Sequence, residues 1–318
     1  MDDHLEAHLE LAAASDEDFV RRAYRLVLRR DPEPAAFDRR VSRATLLREL
    51  VDSPEFARLR ALDDAIDRAL RDGAPARFLE APSELDERAI EIPWALSRLP
   101  AERVLDVGTA NAEPAYVAAL IRAAPRELVG ADLAAADVPG LRTVVADVRR
   151  LPFPDRSFDL VLCVSTLEHV GRDNRVYGVE AEVEGGIDAA LTELRRVLDR
   201  GGRLVVTVPT GEPEEHEWFV QRDPDSWNNA FLDAGFAVAA QEAYARRPEG
   251  WRAADPFDPG GVRYGERGAG ASAVLCTELR PRSLLRRILR PARAAAGRSG
   301  GGTRGSRPAP QLRGAKAG

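Results

Sequence analysis

Between Ser83 and Leu279, apolar strand-length runs alternate with amphipathic helix-length segments, and this alternation narrows the fold more than any other feature of the chain. Strands are predicted at 103–108, 127–132, 142–146, 158–165, 203–209, 236–244 and 271–279. Helices are predicted at 83–99, 113–123, 186–198 and 224–234. Parallel strands need crossover connections, so the pattern implies an α/β fold: a Rossmann-like, doubly wound, mostly parallel seven-stranded sheet, with ligands at the carboxyl ends of its strands. The last two strands are joined without a helix and are expected to form an antiparallel C-terminal hairpin.

Two further segments flank this unit. From about Asp16 to Leu70, Phe19, Ala23, Leu26 and Val27, then Leu46, Leu47, Leu50 and Val51, fall at helical spacing and predict a small all-α domain over residues 1–80. A breaker-rich stretch, Asp72-Gly73-Ala74-Pro75 through Ala81-Pro82, marks the boundary, so the α/β domain is assigned to 81–280. Residues 281–318 dissolve into Arg, Gly, Ala, Ser and Pro, the composition of a basic disordered tail.

Charge and composition exclude several classes. The formal net charge is −6, yet residues 279–318 hold eleven Arg or Lys and no acid, which leaves the body at −17. So acidic a body is a poor general binder of nucleic acid, because phosphate attraction needs a positive surface. Lys316 is the one lysine, and the arginine bias is that of a GC-rich bacterial genome, not evidence for nucleic acid. Cys163 and Cys276 lie in apolar runs and read as small buried hydrophobes, neither a disulfide framework nor a metal site. The acidic start Met1-Asp2-Asp3-His4 and the lack of any long apolar run lead us to expect a soluble cytoplasmic chain. For the tail, the functional reading is weak attraction to an anionic membrane surface or to an acidic partner, this protein's own body included, against that of a merely solvated terminus.

Three successive strands end in an acid. Arg103-Val104-Leu105-Asp106-Val107-Gly108 leads into the small residues Thr109-Ala110-Asn111-Ala112, a turn through which backbone amides can approach a ligand. Dinucleotide enzymes share that geometry, but Asp106 suits a cofactor bearing an ammonium group. Asp132, followed by Leu133, could accept both hydroxyls of a ribose, and Asp147, followed by Val148, could accept an adenine amino hydrogen. Together they describe a nucleoside with a positively charged tail, which S-adenosyl-L-methionine fits better than NAD.

The run Leu151-Pro152-Phe153-Pro154-Asp155-Arg156-Ser157-Phe158-Asp159-Leu160-Val161, then Ser165-Thr166-Leu167-Glu168-His169-Val170, Glu193-Leu194-Arg195-Arg196-Val197-Leu198, Gly201-Gly202-Arg203-Leu204 and Val208-Pro209 resemble the class I S-adenosylmethionine-dependent methyltransferases of the Methyltransf_11 kind. The resemblance covers roughly Glu84 to Leu279. It implies that Asp106, Gly108, Thr109 and Ala110 line the methionine moiety, that Asp132 holds the ribose, that Asp147 with Val148 holds the adenine, and that Asn111, Leu133 and Ser165 also belong to the cofactor site. Ala110 and Ala112 replace the usual second and third glycines of the turn, which would reshape it where positive φ is required. The segments Glu91-Ile92-Pro93-Trp94-Ala95-Leu96, His169-Val170-Gly171 and Tyr177-Gly178 are similar to a bacterial subgroup found at glycan loci. Asp18-Phe19-Val20, Arg30-Asp31-Pro32-Glu33-Pro34 and Ser53-Pro54-Glu55-Phe56 resemble the DUF4214 modules that accompany cell-surface and glycan-processing proteins.

Methyl transfer from a sulfonium needs alignment and, for a hydroxyl acceptor, removal of a proton. His169 is the candidate base, its alternative role being to cap a turn or pack under the cofactor. His216 is the second candidate, and Glu168 reads as a structural or cofactor-side partner. Trp218, Trp227, Trp251 and Tyr264, near Glu212, Glu214, Glu215 and Glu217, could stack on a sugar and accept its hydroxyls, with core packing the preferred reading for Trp227 and Trp251. The expected acceptor is a polar small molecule or glycan methylated on oxygen. Nitrogen or carboxyl methylation of a small molecule, and a catalytically silent binding protein on the same fold, stand as alternatives.

Overall fold

A computed structural model describes residues 15–282 apart from 39–40, 73 and 180–185. The first helices are α1 (Asp16–Leu28), α2 (Arg43–Val51) and α3 (Pro54–Arg71). Each begins at a serine whose hydroxyl accepts a first-turn amide: Ser15 from Asp18, Ser42 from Thr45 and Ser53 from Phe56. Phe19, Tyr24 and Val27 of α1 close over Leu46, Leu47 and Leu50 of α2 as one apolar cluster. Leu62 and Ile66 of α3 instead join the core that lies against the sheet.

The elements that follow are α4 (Arg88–Leu96), β1 (Arg103–Val107), α5 (Pro114–Arg122), β2 (Glu127–Asp132), β3 (Arg142–Val145), β4 (Phe158–Val164), α6 (Ile187–Val197) and β5 (Leu198–Pro209). After them come the short pair β6 (Glu214–Glu215) and β7 (Val220–Gln221), α7 (Pro224–Asp233), β8 (Phe236–Arg247), β9 (Gly250–Ala254) and β10 (Ala273–Pro281). The main sheet has the order β3-β2-β1-β4-β5-β10-β8-β9. β1 to β5 pair in parallel, and β10, β8 and β9 add on antiparallel.

Its two faces are covered separately, as a doubly wound sheet requires. Leu105, Val161 and Val206 face Leu191, Leu194, Trp227 and Phe231 of α6 and α7. Val104, Leu160 and Val205 face Ile90 and Trp94 of α4 and Tyr116, Val117 and Leu120 of α5. Cys163 and Cys276 are buried in these layers, where burial pushes both thiols up.

Two expectations are corrected. The main sheet has eight strands, not seven, because Gly250–Ala254 pairs with β8 as an edge strand. The helix expected over 83–99 spans only Arg88–Leu96: Ala81 bridges to Trp251, and residues 82–87 form turns ahead of it. The tail expected from residue 281 lies outside the described residues beyond Arg282. Among the described residues no helix is long and apolar enough to cross a membrane.

Candidate active site

The strand order reverses between β1 and β4, whose chains run on to opposite sides of the sheet, and a crevice opens above their carboxyl ends. A cavity of about 430 Å³ occupies this point. Asp106, Gly108, Asn111, Asp132, Leu133, Asp147, Val148, Ser165 and His169 all line it, so nine of the eleven residues expected from the sequence converge on one space. Thr109 and Ala110 do not line it. The Thr109 hydroxyl turns back onto the Asp106 carboxylate at 2.7 Å, and the Ala110 amide donates to Asp132 Oδ2 at 2.9 Å.

Gly108 stands at φ +92°, and a Cβ there would lie 2.2 Å from Thr166 Oγ1. No residue other than glycine fits. Ala110 lies within the 3₁₀ turn Thr109–Asn111, and Ala112 follows it at φ −69°. Neither alanine adopts the left-handed region, so the two missing glycines cost the turn nothing.

Asp106 is buried, and its second carboxylate oxygen accepts the Tyr116 hydroxyl at 2.5 Å. Burial pushes its pKa up to about 6, against the pull of hydrogen bonds from Tyr116 and Thr109. Tyr116 was not singled out in the sequence, where it reads as one more apolar-face residue of α5. Asp132 accepts one backbone N–H on each oxygen, from Ala110 and Ala134, which leaves each oxygen a free lone pair for a ribose hydroxyl. Asp147 is bracketed by the Arg149 guanidinium, with Nε 2.9 and 3.1 Å from its two oxygens. Burial raises the Asp147 carboxyl, but Arg149 outweighs that and holds it below its ordinary value.

His169 ends the 3₁₀ turn Leu167–His169 after β4. Its Nδ1 lies 2.7 Å from the Trp218 carbonyl oxygen, and Nε2 lies 3.3 Å from the Tyr177 hydroxyl. A carbonyl only accepts, so Nδ1 carries the proton and Nε2 keeps its lone pair. Burial lowers the imidazole pKa, in spite of the bond to Trp218, and keeps the ring neutral near pH 7.

The wall beyond His169 holds residues that the sequence gave little reason to choose. Glu91 of α4 is wholly buried and accepts the Ser165 hydroxyl at 2.6 Å. Ser165 stands at φ +44°. Glu168 is buried beside His169, and Glu87 accepts the Ala271 amide at 3.1 Å. Burial and mutual repulsion push Glu91 up to about 8, and burial raises Glu168 and Glu87.

Trp218, Phe219, Tyr177 and Tyr264 complete this wall. His216 does not line the cavity but stacks on Phe219 with centroids 4.3 Å apart. Glu214 binds the Arg263 side chain and the Tyr264 amide, so it braces the loop and does not face the acceptor space. Glu212, Glu215 and Glu217 are likewise absent from the lining. Trp227 and Trp251 are buried in the core, with indole N–H groups on the carbonyls of Pro209 and Leu85.

The strand-end side of this arrangement, from Asp106 to His169, lies in a stretch that matches a known family. Residues 105–206 match the family described as a methyltransferase domain. Its fold family uses S-adenosyl-L-methionine. The chain is 34% identical over 162 residues to the demethylmenaquinone methyltransferase of Thermus thermophilus, covering 48% of this chain and 62% of that protein. It is 31% identical over 121 residues to the EEF1A lysine methyltransferase 4 of Mus musculus, covering 35% of this chain and 48% of that one. It therefore spans less than two thirds of the length of these curated relatives. Among solved structures, it resembles a Burkholderia thailandensis 1,6-didemethyltoxoflavin-N1-methyltransferase with bound S-adenosylhomocysteine at 15% identity and a TM-score of 0.40, covering 73% of this chain and 91% of that one.

The residues present fit such a donor. The turn at Gly108 has no side chain to block close approach, and Asp132 has free lone pairs for a vicinal diol.

Proposed function

We propose that the chain transfers the methyl group of S-adenosyl-L-methionine to a hydroxyl of a sugar, a glycan or a related polar metabolite. The observation that carries this reading is the His169 tautomer, because a ring whose Nδ1–H is held by the Trp218 carbonyl presents Nε2 as a base. The similarity of the segments around Phe19, Pro32 and Phe56 to DUF4214 modules supports a glycan setting.

In this reading the Gly108 turn and Asp106 hold the methionine moiety, Asp132 the ribose, and Asp147 with Val148 the adenine. The bound donor supplies an electrophilic methyl on a sulfonium whose thioether is a good leaving group. His169 Nε2 takes the acceptor proton as the oxygen–carbon bond forms. Tyr177 donates to that same nitrogen before the acceptor arrives, and an acceptor hydroxyl replaces it. The aromatic wall keeps water from the reacting atoms.

The test is incubation of the full chain and its His169→Gln variant with methyl-labelled donor and polar metabolite extracts. The reading expects label in a hydroxyl-bearing pool, and a loss of roughly 10²–10⁴-fold in rate for the variant. Equal turnover by both proteins overturns the base assignment.

A further inference from the structure

The proposed reaction needs His169 on the acceptor side, but it gives no role to the three glutamates buried there. Glu91 is 0% exposed and Glu168 4%, and each holds one buried oxygen, Oε1 and Oε2 respectively, without a hydrogen-bond partner. Both line the cavity, as does Glu87. One cation, the Arg88 guanidinium, lines the same cavity and draws down all three carboxyls, but it is one charge against Asp86, Glu87, Glu91 and Glu168. Arg88 is paired with Asp86 at 3.2 Å, and His169, 3.9 Å from Glu168, is held neutral.

Buried carboxylates with unused lone pairs are costly unless a proton or a cation meets them. A metal ion does not answer, because among the described residues no group of three or more acidic, histidine or cysteine side chains converges closely enough to hold one. The donor does not answer either. S-adenosylmethionine carries one net positive charge, which Asp106 and Asp132 can balance on the strand-end half of the cavity. The opposite wall is aromatic: Trp218 lies 6.4 Å from Tyr264, edge to face, and the charges of Glu87, Glu168 and Glu91 all reach the Tyr264 phenol. Aromatic faces beside buried carboxylates are the surroundings in which an organic ammonium group is most favoured.

We propose that this half of the cavity is a cation site, and that the acceptor carries a protonated amine that sits between Glu91, Glu168 and the aromatic wall of Trp218 and Tyr264. The acceptor is then a small amino polyol, anchored by its ammonium group while a hydroxyl meets His169. This inference rests on the methyltransferase reading above and names the acceptor class within it.

The test uses the full chain loaded with S-adenosylhomocysteine, titrated by calorimetry at neutral pH with glucosamine and with glucose. These probes differ in one amine for one hydroxyl. Glucosamine is expected to bind more than about tenfold tighter and to release a proton on binding, since Glu91, protonated at neutral pH in the empty site, ionises to pair with the ammonium group. Glu91→Gln and Glu168→Gln are each expected to bring the ratio to within about threefold. The unfolding transition of each variant checks that it is folded.

Comparable affinities, binding of neither sugar, or a preference that survives both substitutions overturns the proposal. So does the pattern expected if the glutamates serve the sulfonium, in which Glu91→Gln weakens S-adenosylmethionine more than S-adenosylhomocysteine and no amine preference exists. A chain that binds S-adenosylhomocysteine but shows no preference overturns this inference alone. A chain that fails to bind S-adenosylhomocysteine overturns the methyltransferase reading with it.

Discussion

The Tyr116 hydroxyl donates to the buried Asp106 carboxylate at 2.5 Å, tying α5 to the end of β1 where the cofactor turn begins. With Thr109 on the other oxygen, it keeps a carboxylate whose burial favours protonation near pH 6 instead of higher. Tyr116→Phe removes one of these donors and leaves the carboxylate under-bonded. We expect the Asp106 pKa to rise further and the affinity for S-adenosylhomocysteine at pH 7 to fall by about three- to tenfold, the worth of one ordinary hydrogen bond. Calorimetry on the variant checks this, and an unchanged affinity separates Asp106 from the donor.

The turn offers a paired test. Gly108→Ala places a methyl 2.2 Å from Thr166 Oγ1 at a φ that alanine resists, so S-adenosylhomocysteine binding should be lost or the melting temperature should drop by several degrees, about 1–3 kcal/mol of strain. Ala110→Gly, which restores the glycine usual in such turns, should change the affinity by less than about twofold, because Ala110 is not in the left-handed region.

How much of this was legible in the sequence differs between the two halves of the cavity. The donor half is written locally: β1, β2 and β3 are apolar runs that each end within two residues of an acid, and Gly108 marks the turn. The acceptor half is not. Glu91 sits inside Ile90-Glu91-Ile92-Pro93-Trp94, and an acid in a helix ordinarily marks its solvent face. Here α4 has no such face, since every residue from Ala89 to Leu96 is buried. That unbroken apolar surrounding was the available signal. Glu214, by contrast, looked like an acceptor-binding acid only because it neighbours Trp218 in sequence, whereas its side chain braces Arg263. The eighth strand escaped notice because Gly250-Trp251-Arg252-Ala253-Ala254 is short and lacks alternation, and it is held by pairing to β8.

The acidic wall sets the pH dependence of stability. Asp106 at about 6 and Glu91 at about 8 are both raised above their unfolded values, so the folded state binds more protons than the unfolded state from about pH 4 up to those values. Stability of the chain without ligands should therefore fall as pH rises from about 4 through about 8 and level off above that. Glu91→Gln should remove the upper part of that fall. Melting temperatures measured at pH 5.5 and pH 9 check it: the drop between them should be clearly smaller in the variant, and an equal drop would show that Glu91 ionises freely.

His169 predicts the activity profile. Burial lowers its pKa below 6.5, so the base is protonated and idle in acid and free above that value. The kcat/KM for a hydroxyl acceptor should rise with pH through a midpoint under 6.5 and stay flat toward pH 8. In His169→Gln that acid limb should vanish along with most of the rate. A limb that persists would assign the titration to another group.

The account stands on the strand-end carboxylates forming a nucleoside site, and titration of the full chain with S-adenosylhomocysteine measures that most directly. One equivalent should bind with measurable heat, and Asp132→Ala, which removes the acceptor of the ribose hydroxyls, should weaken it by about tenfold or more. No heat with the unaltered chain, or an affinity indifferent to Asp132, would contradict it.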